Sequence, residues 1–448
     1  MYELIVIGGG PGGYEAAAHA GRMGKKVALV EKQYLGGTCL NVGCIPTKTY
    51  LKSSKLFADC KNGAQYGVLV SGLKFDLAAL VERKNKIVGT LTKGVETLLK
   101  RSGVEVISGQ ARLASRNTVE VGSASHTARN VLIATGSRPA VPPIPGIDSD
   151  RVLDSCTVFG LLEAPLSLAI IGGGYIGLEF ASFFSSIGVE VTVVEMLPQI
   201  AAGADRDISN RLLQELKRSG ITFKTSCKVT HIEGDALHYE DEAGSQGTIQ
   251  ADYILNATGR VPVVEDLGLE QAGVDFSRKG IQTSDQGTTN VPGLWACGDV
   301  TGRRLLAHAA VREGIVAVNN MFGRSDRLRY DSIPSVIYTH PEVASVGKTE
   351  DELKAQGVEY KKSMVPMAVA GRFLIENPQG SGLVKVLAGA RYGEILGVHA
   401  IGDSSSEFIV AAAAMLETET CVSDVAEIVF PHPTVSEALK EAILRAAE

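Results

Sequence analysis

Two cysteines five positions apart are the residues of this chain best suited to chemistry. Cys39 and Cys44 stand in the run GGTCLNVGCIPTK, residues 36–48, between a glycine-rich approach and the first turns of a helix. Such a pair suggests redox use, cycling between dithiol and disulfide. On an ideal helix, residues five apart are about 8.6 Å apart at Cα, too far for a disulfide. The backbone must therefore leave helical geometry if the pair is to close, and Asn41, Val42 and Gly43 give it a flexible link. A helix N-terminus favours thiolate over thiol, which suits one sulfur for attack and the other for electron transfer. The alternative is two unlinked buried cysteines that behave as small apolar residues. A second reactive group lies near the C-terminus in FPHPTVSEALKEAI, where His432 precedes Pro433 and Glu437 lies five residues on. Thr434 and Glu437 match a helix capping box, so the segment reads either as a cap behind a loop histidine or as an acid-base pair; the two uses can coexist.

The elements that must position these groups begin with two glycine-rich turns. LIVIGGGPGG holds Gly8, Gly10 and Gly13 after an apolar strand, and KKVALVE ends at Glu31. LAIIGGGYIG repeats the unit with Gly172, Gly174 and Gly177, and VEVTVVE ends at Glu195. In both, the acid comes 23 positions after the first glycine, and matched positions are 164 residues apart. In a dinucleotide turn the first glycine makes the tight bend, the second admits the pyrophosphate, and the third lets helix pack on strand. A terminal acid then binds ribose hydroxyls. One such turn is a weak signal; two in a shared register are a strong one.

Composition fits a large globular enzyme: 448 residues, 45% hydrophobic, 21% charged, net charge −6. That balance leaves no footprint for nucleic acid. The one basic stretch, Glu82 to Arg101, has a helical pattern with Ile87, Leu91, Val95, Leu98 and Leu99 as its apolar side, and its lysines read as a solvated face. No apolar run reaches membrane-spanning length, and Met1 leads almost directly into the first strand, so the chain is expected to be cytoplasmic with no membrane partner. The other five cysteines are scattered and no metal-ligand spacing appears. The proline-rich link VPPIPG, residues 141–146, marks a boundary. After about 330 the pattern turns to strands such as SGLVKVLA and EILGVHAIG, followed by a helix through FIVAAAAMLE.

Two such turns with a Cys-x4-Cys pair between them resemble the flavoprotein disulfide reductases, over nearly the whole chain. The resemblance implies an α/β fold: two Rossmann-like dinucleotide-binding domains, for FAD and NAD, plus a C-terminal α+β dimerisation domain. The expected boundaries are 1–140 for the FAD domain, 141–259 for the NAD domain, 260–330 for the returning FAD segment and 331–448 for the interface. ATGSRP and ATGRVP resemble the segments that leave and re-enter the FAD domain, which brings in Thr135, Gly136 and Gly259. VPGLWACGDV resembles a second FAD motif in which Asp299 binds the ribityl hydroxyls. LLAH, with Leu306, Ala307 and His308, resembles a helix opening toward the flavin pyrimidine. Lys48 and Glu179 match an ion pair near the reactive flavin nitrogen; alone they would be helix-surface charges. Tyr175 either covers the nicotinamide pocket or packs on the flavin.

By the same resemblance His432, oriented by Glu437, is the acid-base histidine and reaches the active site of the other subunit, so a homodimer with a shared site is expected. His340 is a lesser candidate. Glu195 favours NAD over NADP, since no arginine follows it until Arg206. The cysteine run, LAHAAVREG and SVIYTHPEVASVGKTE look most like the members that oxidise dihydrolipoyl groups, which implies a lipoyl-bearing protein of a multienzyme complex as partner. A glutathione-type reductase and a quinone or acceptor oxidoreductase on the same fold are the alternatives. Two departures stand out: Phe430 where many lipoyl-oxidising members place a second histidine, and Cys297 where an aliphatic residue is usual.

Overall fold

Strand Tyr2–Ile7 sends alternate side chains to opposite faces of a sheet: Leu4 and Val6 enter one apolar cluster, Ile5 and Ile7 another. Burial on both faces explains why the run is continuously apolar, as expected for a strand with parallel neighbours. The computed structural model describes residues 1–378 and 380–447. Contacts divide the chain into two units, one of residues 1–49, 78–140 and 259–328, the other of 50–77, 141–258 and 329–448.

The parallel part of the first unit's sheet runs Glu105–Ser108, Val27–Glu31, Tyr2–Ile7, Ala124–Ile133 and Leu294–Ala296. Strand Ala124–Ile133 continues into an antiparallel meander with Thr118–Val121 and Ala111–Ser115. Helices Pro11–Arg22 and Ala307–Met321 pack against each other in this unit. Helix Leu77–Arg101 buries Val95 and Leu99 but leaves Leu91 38% exposed, so only its last turns use the predicted apolar side.

The second unit repeats the plan. Its parallel sheet runs Thr222–Lys224, Glu190–Val194, Ser167–Ile171, Tyr253–Asn256 and Val152–Asp154, with an antiparallel sheet of Cys227–Glu233, Ala236–Asp241 and Gln246–Gln250. It also holds an antiparallel sheet ordered Ser335–Ile337, Val343–Gly347, Ile395–Ile401, Leu383–Gly389 and Tyr360–Pro366. Helices Ser405–Glu417 and Glu437–Arg445 bury Phe408, Ile409, Leu439 and Ile443 in the core of that sheet. The whole is α/β, with two dinucleotide-type parallel sheets and an α+β C-terminal portion. Segment 50–77 joins this unit through rings: Tyr50 lies 4.9 Å from Phe183 and 5.2 Å from Phe159, and Phe75 lies 6.1 Å from Phe183. Among the described residues no helix is long and apolar enough to cross a membrane.

One buried charge cluster ties distant parts of the second unit together. Lys385, 1% exposed on an inner strand, donates to Asp205 at 2.8 Å, Asp207 at 2.7 Å and Glu350 at 2.6 Å. Burial alone would raise the Glu350 carboxyl, but hydrogen bonds from Lys385, Lys354, Tyr360 and Lys362 outweigh it and hold the group far below its ordinary value. Asp205 is lowered in the same way, its burial overcome by Lys385 and the Glu350 amide. Carboxyls depressed in the folded state stabilise it fully above their unfolded values, about pH 4, and lose that contribution as pH falls through the folded ones. Replacing Lys385 by methionine leaves the buried Asp205 carboxylate without its cation and removes the shared partner of Asp207 and Glu350. The variant is expected to lose about 3–5 kcal/mol at pH 7, with the deficit narrowing near pH 4 as these acids protonate. Urea unfolding at the two pH values checks this, and an unchanged midpoint at pH 7 refutes it.

Candidate active site

The break required between the cysteines falls at Gly43. Helix Gly37–Val42 ends there, at φ −141° and ψ −109°, and helix Cys44–Lys61 begins at the next residue. A Cβ on Gly43 would sit 2.9 Å from the Thr38 carbonyl oxygen, so glycine is needed for close approach. The Gly43 carbonyl accepts from the Thr47 amide at 3.0 Å, and Asn41 Nδ2 donates to the Leu35 and Gly37 carbonyls at 2.9 Å each. The same loop is bound to the first dinucleotide turn, the Gly36 amide donating to the Gly9 carbonyl at 2.8 Å. Cys39 and Cys44 are partly buried thiols that lie close enough to interact with each other. That interaction, then burial, pushes the Cys39 thiol upward, while the Lys48 ammonium pulls it down. Lys48 thus acts on the pair directly.

The two glycine turns superpose in their bonding. Glu31 accepts from the Gly9 amide at 2.6 Å and the Gln33 amide at 2.8 Å; Glu195 accepts from the Gly173 amide at 2.6 Å and the Leu197 amide at 2.7 Å. Gly8 and Gly172 take φ of 106° and 108°, in the region that favours glycine. A Cβ on Gly13 would meet the Gly8 oxygen at 1.9 Å, and one on Gly177 the Gly172 oxygen at 2.1 Å, so the third glycine permits the helix to lie on the strand. Gly10 and Gly174, the N-caps of helices Pro11–Arg22 and Tyr175–Ser186, would meet nothing within 4 Å. Open space over a helix N-terminus, with an acid fixed at the neighbouring strand end, fits a dinucleotide at each turn. Gly136 and Gly259 are open in the same sense. Tyr175 is 48% exposed at the mouth of its turn.

Asp299 lies in the first turn of the short helix Gly298–Thr301 and accepts from Ser137 Oγ at 2.5 Å. Burial pushes its carboxyl up, against Ser137 and the Arg260 charge. Arg260 in turn donates to Ser137 Oγ and its carbonyl, both at 2.8 Å, and Thr135 Oγ1 donates to the Val263 carbonyl at 2.8 Å. Sequence reasoning found Asp299 and missed Ser137; the signal was the repeated Ala-Thr-Gly turn, whose following strands Ser137–Pro139 and Arg260–Pro262 pair antiparallel. It also missed Glu313, buried on helix Ala307–Met321, which accepts from the Gly298 amide at 2.6 Å. That helix begins as expected, with Leu306 as N-cap and no side chain capping it, then Ala307 and His308. Cys297 is fully buried against Gly12, and burial raises its thiol.

His432 and Glu437 are brought together, Nδ1 to Oε1 at 2.9 Å, with the histidine side chain 79% exposed. The other Glu437 oxygen accepts from the Thr434 amide at 2.9 Å. Hydrogen bonds from His432, then Thr434, lower the Glu437 carboxyl. The expected capping box forms only in part. The helix starts at Glu437 with Ser436 as N-cap, and the Thr434 hydroxyl bonds the Pro431 carbonyl and the Ser436 hydroxyl. Phe430 packs against the C-terminal core. Glu179 is buried at 6% exposure and accepts from the Tyr338 amide at 2.9 Å, so it is no surface charge. His340 Nδ1 lies 3.3 Å from Asp403, which also holds Lys55. Burial would raise Asp403, but His340 and Lys55 hold its carboxyl down at about 2.

Residues 2–314 match the family model described as pyridine nucleotide-disulphide oxidoreductase, and residues 333–443 match the dimerisation domain of that family. The chain is 42% identical to dihydrolipoyl dehydrogenase 3 of Pseudomonas aeruginosa, covering 99% of this chain and 97% of that protein. It is 40% identical to the mitochondrial dihydrolipoyl dehydrogenase of Pisum sativum, covering 99% and 91%. Among solved structures, LpdA from Mycobacterium tuberculosis matches with a TM-score of 0.91 at 25% identity, covering 99% of each chain.

Proposed function

The chain belongs to the pyridine nucleotide-disulphide oxidoreductase family, and from that premise we propose that it is an FAD-containing dihydrolipoyl dehydrogenase that uses NAD+. The carrying observation is the contact of Cys39 with Cys44, in a loop bonded to the first dinucleotide turn. On this reading 1–140 and 260–330 form the FAD domain, 141–259 the NAD domain and 331–448 the interface of a homodimer. The lipoyl group is carried by another protein of a multienzyme complex, and the enzyme works in the cytoplasm.

The mechanism follows from the residues. His432 takes a proton from one thiol of the dihydrolipoyl group, because at neutral pH such thiols are mostly protonated and only thiolate attacks. Glu437 holds the imidazole and balances the charge it gains. The thiolate forms a bond to Cys39 Sγ of the Cys39–Cys44 disulfide, and Cys44 leaves as thiolate. The second substrate thiol, deprotonated, displaces Cys39 and closes the product disulfide. Two electrons then reside on the cysteine pair. The chemistry FAD supplies when bound is passage of that electron pair to NAD+. Gly8, Gly10 and Gly13 with Glu31 hold the first dinucleotide, aided by Thr135, Gly136, Asp299 and the Leu306–His308 helix start. Gly172, Gly174 and Gly177 with Glu195 hold the second. The exposure of His432 in the single chain supports its use across a subunit boundary, against the cysteines of the other subunit.

Anaerobic titration of the purified flavoprotein with dihydrolipoamide, followed by NAD+, tests the proposal. A long-wavelength absorbance band at two-electron reduction, discharged as NADH appears, is the expected result. An unchanged spectrum with dihydrolipoamide, alongside bleaching by NADH, refutes the lipoyl assignment and leaves the nucleotide sites standing.

A further inference from the structure

We propose that the outer face of the antiparallel sheet at residues 227–250 binds a divalent transition ion of the zinc and copper class through His231, His238 and Glu233. Among the described residues, these three offer ligand atoms that all lie within 4.8 Å of one another. A bulge creates the arrangement. Strand Cys227–Glu233 buries Cys227 and Val229, then shifts register between Val229 and His231, and its next buried residue is Ile232. The shift reverses the alternation, so His231 and Glu233 share the outward face, and His231 comes opposite His238 on the adjoining strand. The imidazoles stack with centroids 4.1 Å apart and planes 6° from parallel. Ile232 and Leu237, both buried, root the hairpin in the domain core.

The hydrogen bonds prepare these rings as ligands. Thr230 Oγ1 donates to the His238 carbonyl at 3.2 Å, so its contact with His231 Nδ1, also 3.2 Å, is one in which the ring nitrogen donates. That assigns the proton of neutral His231 to Nδ1 and leaves the Nε2 lone pair outward. His238 Nδ1 is engaged by Thr248 Oγ1 at 3.0 Å, and the tautomer in which this ring nitrogen donates leaves the Nε2 lone pair for an ion. A ligating histidine whose other nitrogen is tied to a partner is the arrangement that fixes ring orientation in metal sites. A tilt of the rings brings the two Nε2 atoms to the roughly 3.3 Å that a tetrahedral ion with bonds near 2.05 Å requires. The Glu233 carboxylate supplies a third, hard donor, and solvent fills the fourth position. Two imidazoles and one carboxylate select zinc or copper over calcium or magnesium, which prefer all-oxygen sites. Nothing in the spacing of the three residues announces this; the hairpin register does.

The test uses the holoenzyme in its disulfide form with other accessible thiols alkylated, so that cysteine ligands are removed from competition. Calorimetric titration with Zn2+ is expected to find one equivalent bound, with His231→Ala and His238→Ala each weakening it at least about tenfold and Thr230→Val by about tenfold. Electron paramagnetic resonance with Cu2+ should report two nitrogen ligands in the parent and one in either histidine variant. Circular dichroism and metal-free turnover, both expected unchanged in His238→Ala, show that the variants are folded. No binding in the parent, or binding in both histidine variants as strong as in the parent, overturns the proposal.

Discussion

Replacing Cys44 by serine is expected to reduce dihydrolipoamide-dependent NADH formation below about one part in a thousand of the parent rate. Serine cannot form the disulfide that accepts two electrons from the substrate, and the bond from Cys39 to the substrate sulfur then has no thiolate to expel. Cys39→Ser should fail equally, and the double variant should be no worse than either, because the two sulfurs act as one unit. The control is reduction of an artificial one-electron acceptor by NADH, which needs both dinucleotide turns but neither sulfur, and which should survive in all three variants. Normal lipoamide turnover in Cys44→Ser would sink the dithiol route and favour an acceptor oxidoreductase on the same fold.

The second large effect belongs to His432. Its replacement by glutamine is expected to lower the rate by about a hundred- to ten-thousandfold, the usual range for a positioned general base. The variant should also become faster as pH rises toward the ordinary thiol value, because hydroxide then does what the imidazole did. Glu437→Gln should fall less, by about tenfold to a hundredfold, since the histidine survives but loses its orienting partner. The sign of the Glu437 shift matters here. Its carboxyl is lowered by His432 and the Thr434 amide, so it stays ionised below the ordinary glutamate range and holds the imidazole across the whole working pH. A rate for His432→Gln within tenfold of the parent would return this segment to the role of a plain helix start.

Much of this site was legible because its constraints are local. Gly13 and Gly177 are glycines because any Cβ would strike the strand they lie on, and that shows as a repeated spacing. The break at Gly43 followed from simple helix geometry and was found where it was needed. What escaped was set by pairings distant in sequence. Lys385 meets Asp205 across 180 positions, and nothing near either residue signals the other. Ser137 and Glu313 each bond the Gly298–Asp299 turn from separate strands and helices. The last helix starts at Glu437 and its box is only half closed, because the Thr434 hydroxyl turns to Pro431 and Ser436 while Glu437 accepts from the Thr434 amide.

The two dinucleotide sheets differ in how the chain supplies them. The sheet of the second unit is drawn from one stretch, Val152 to Asn256. The first begins at Tyr2 yet receives its last parallel strand, Leu294–Ala296, and the helix Ala307–Met321 only much later. On the ribosome, therefore, the sheet that starts second is the first whose strands are all available, and the first unit waits half-built for its closing strand. Domains made in order usually fold in order. Here the chain's own threading reverses the order of completion, the first sheet closing only once Leu294–Ala296 has been made.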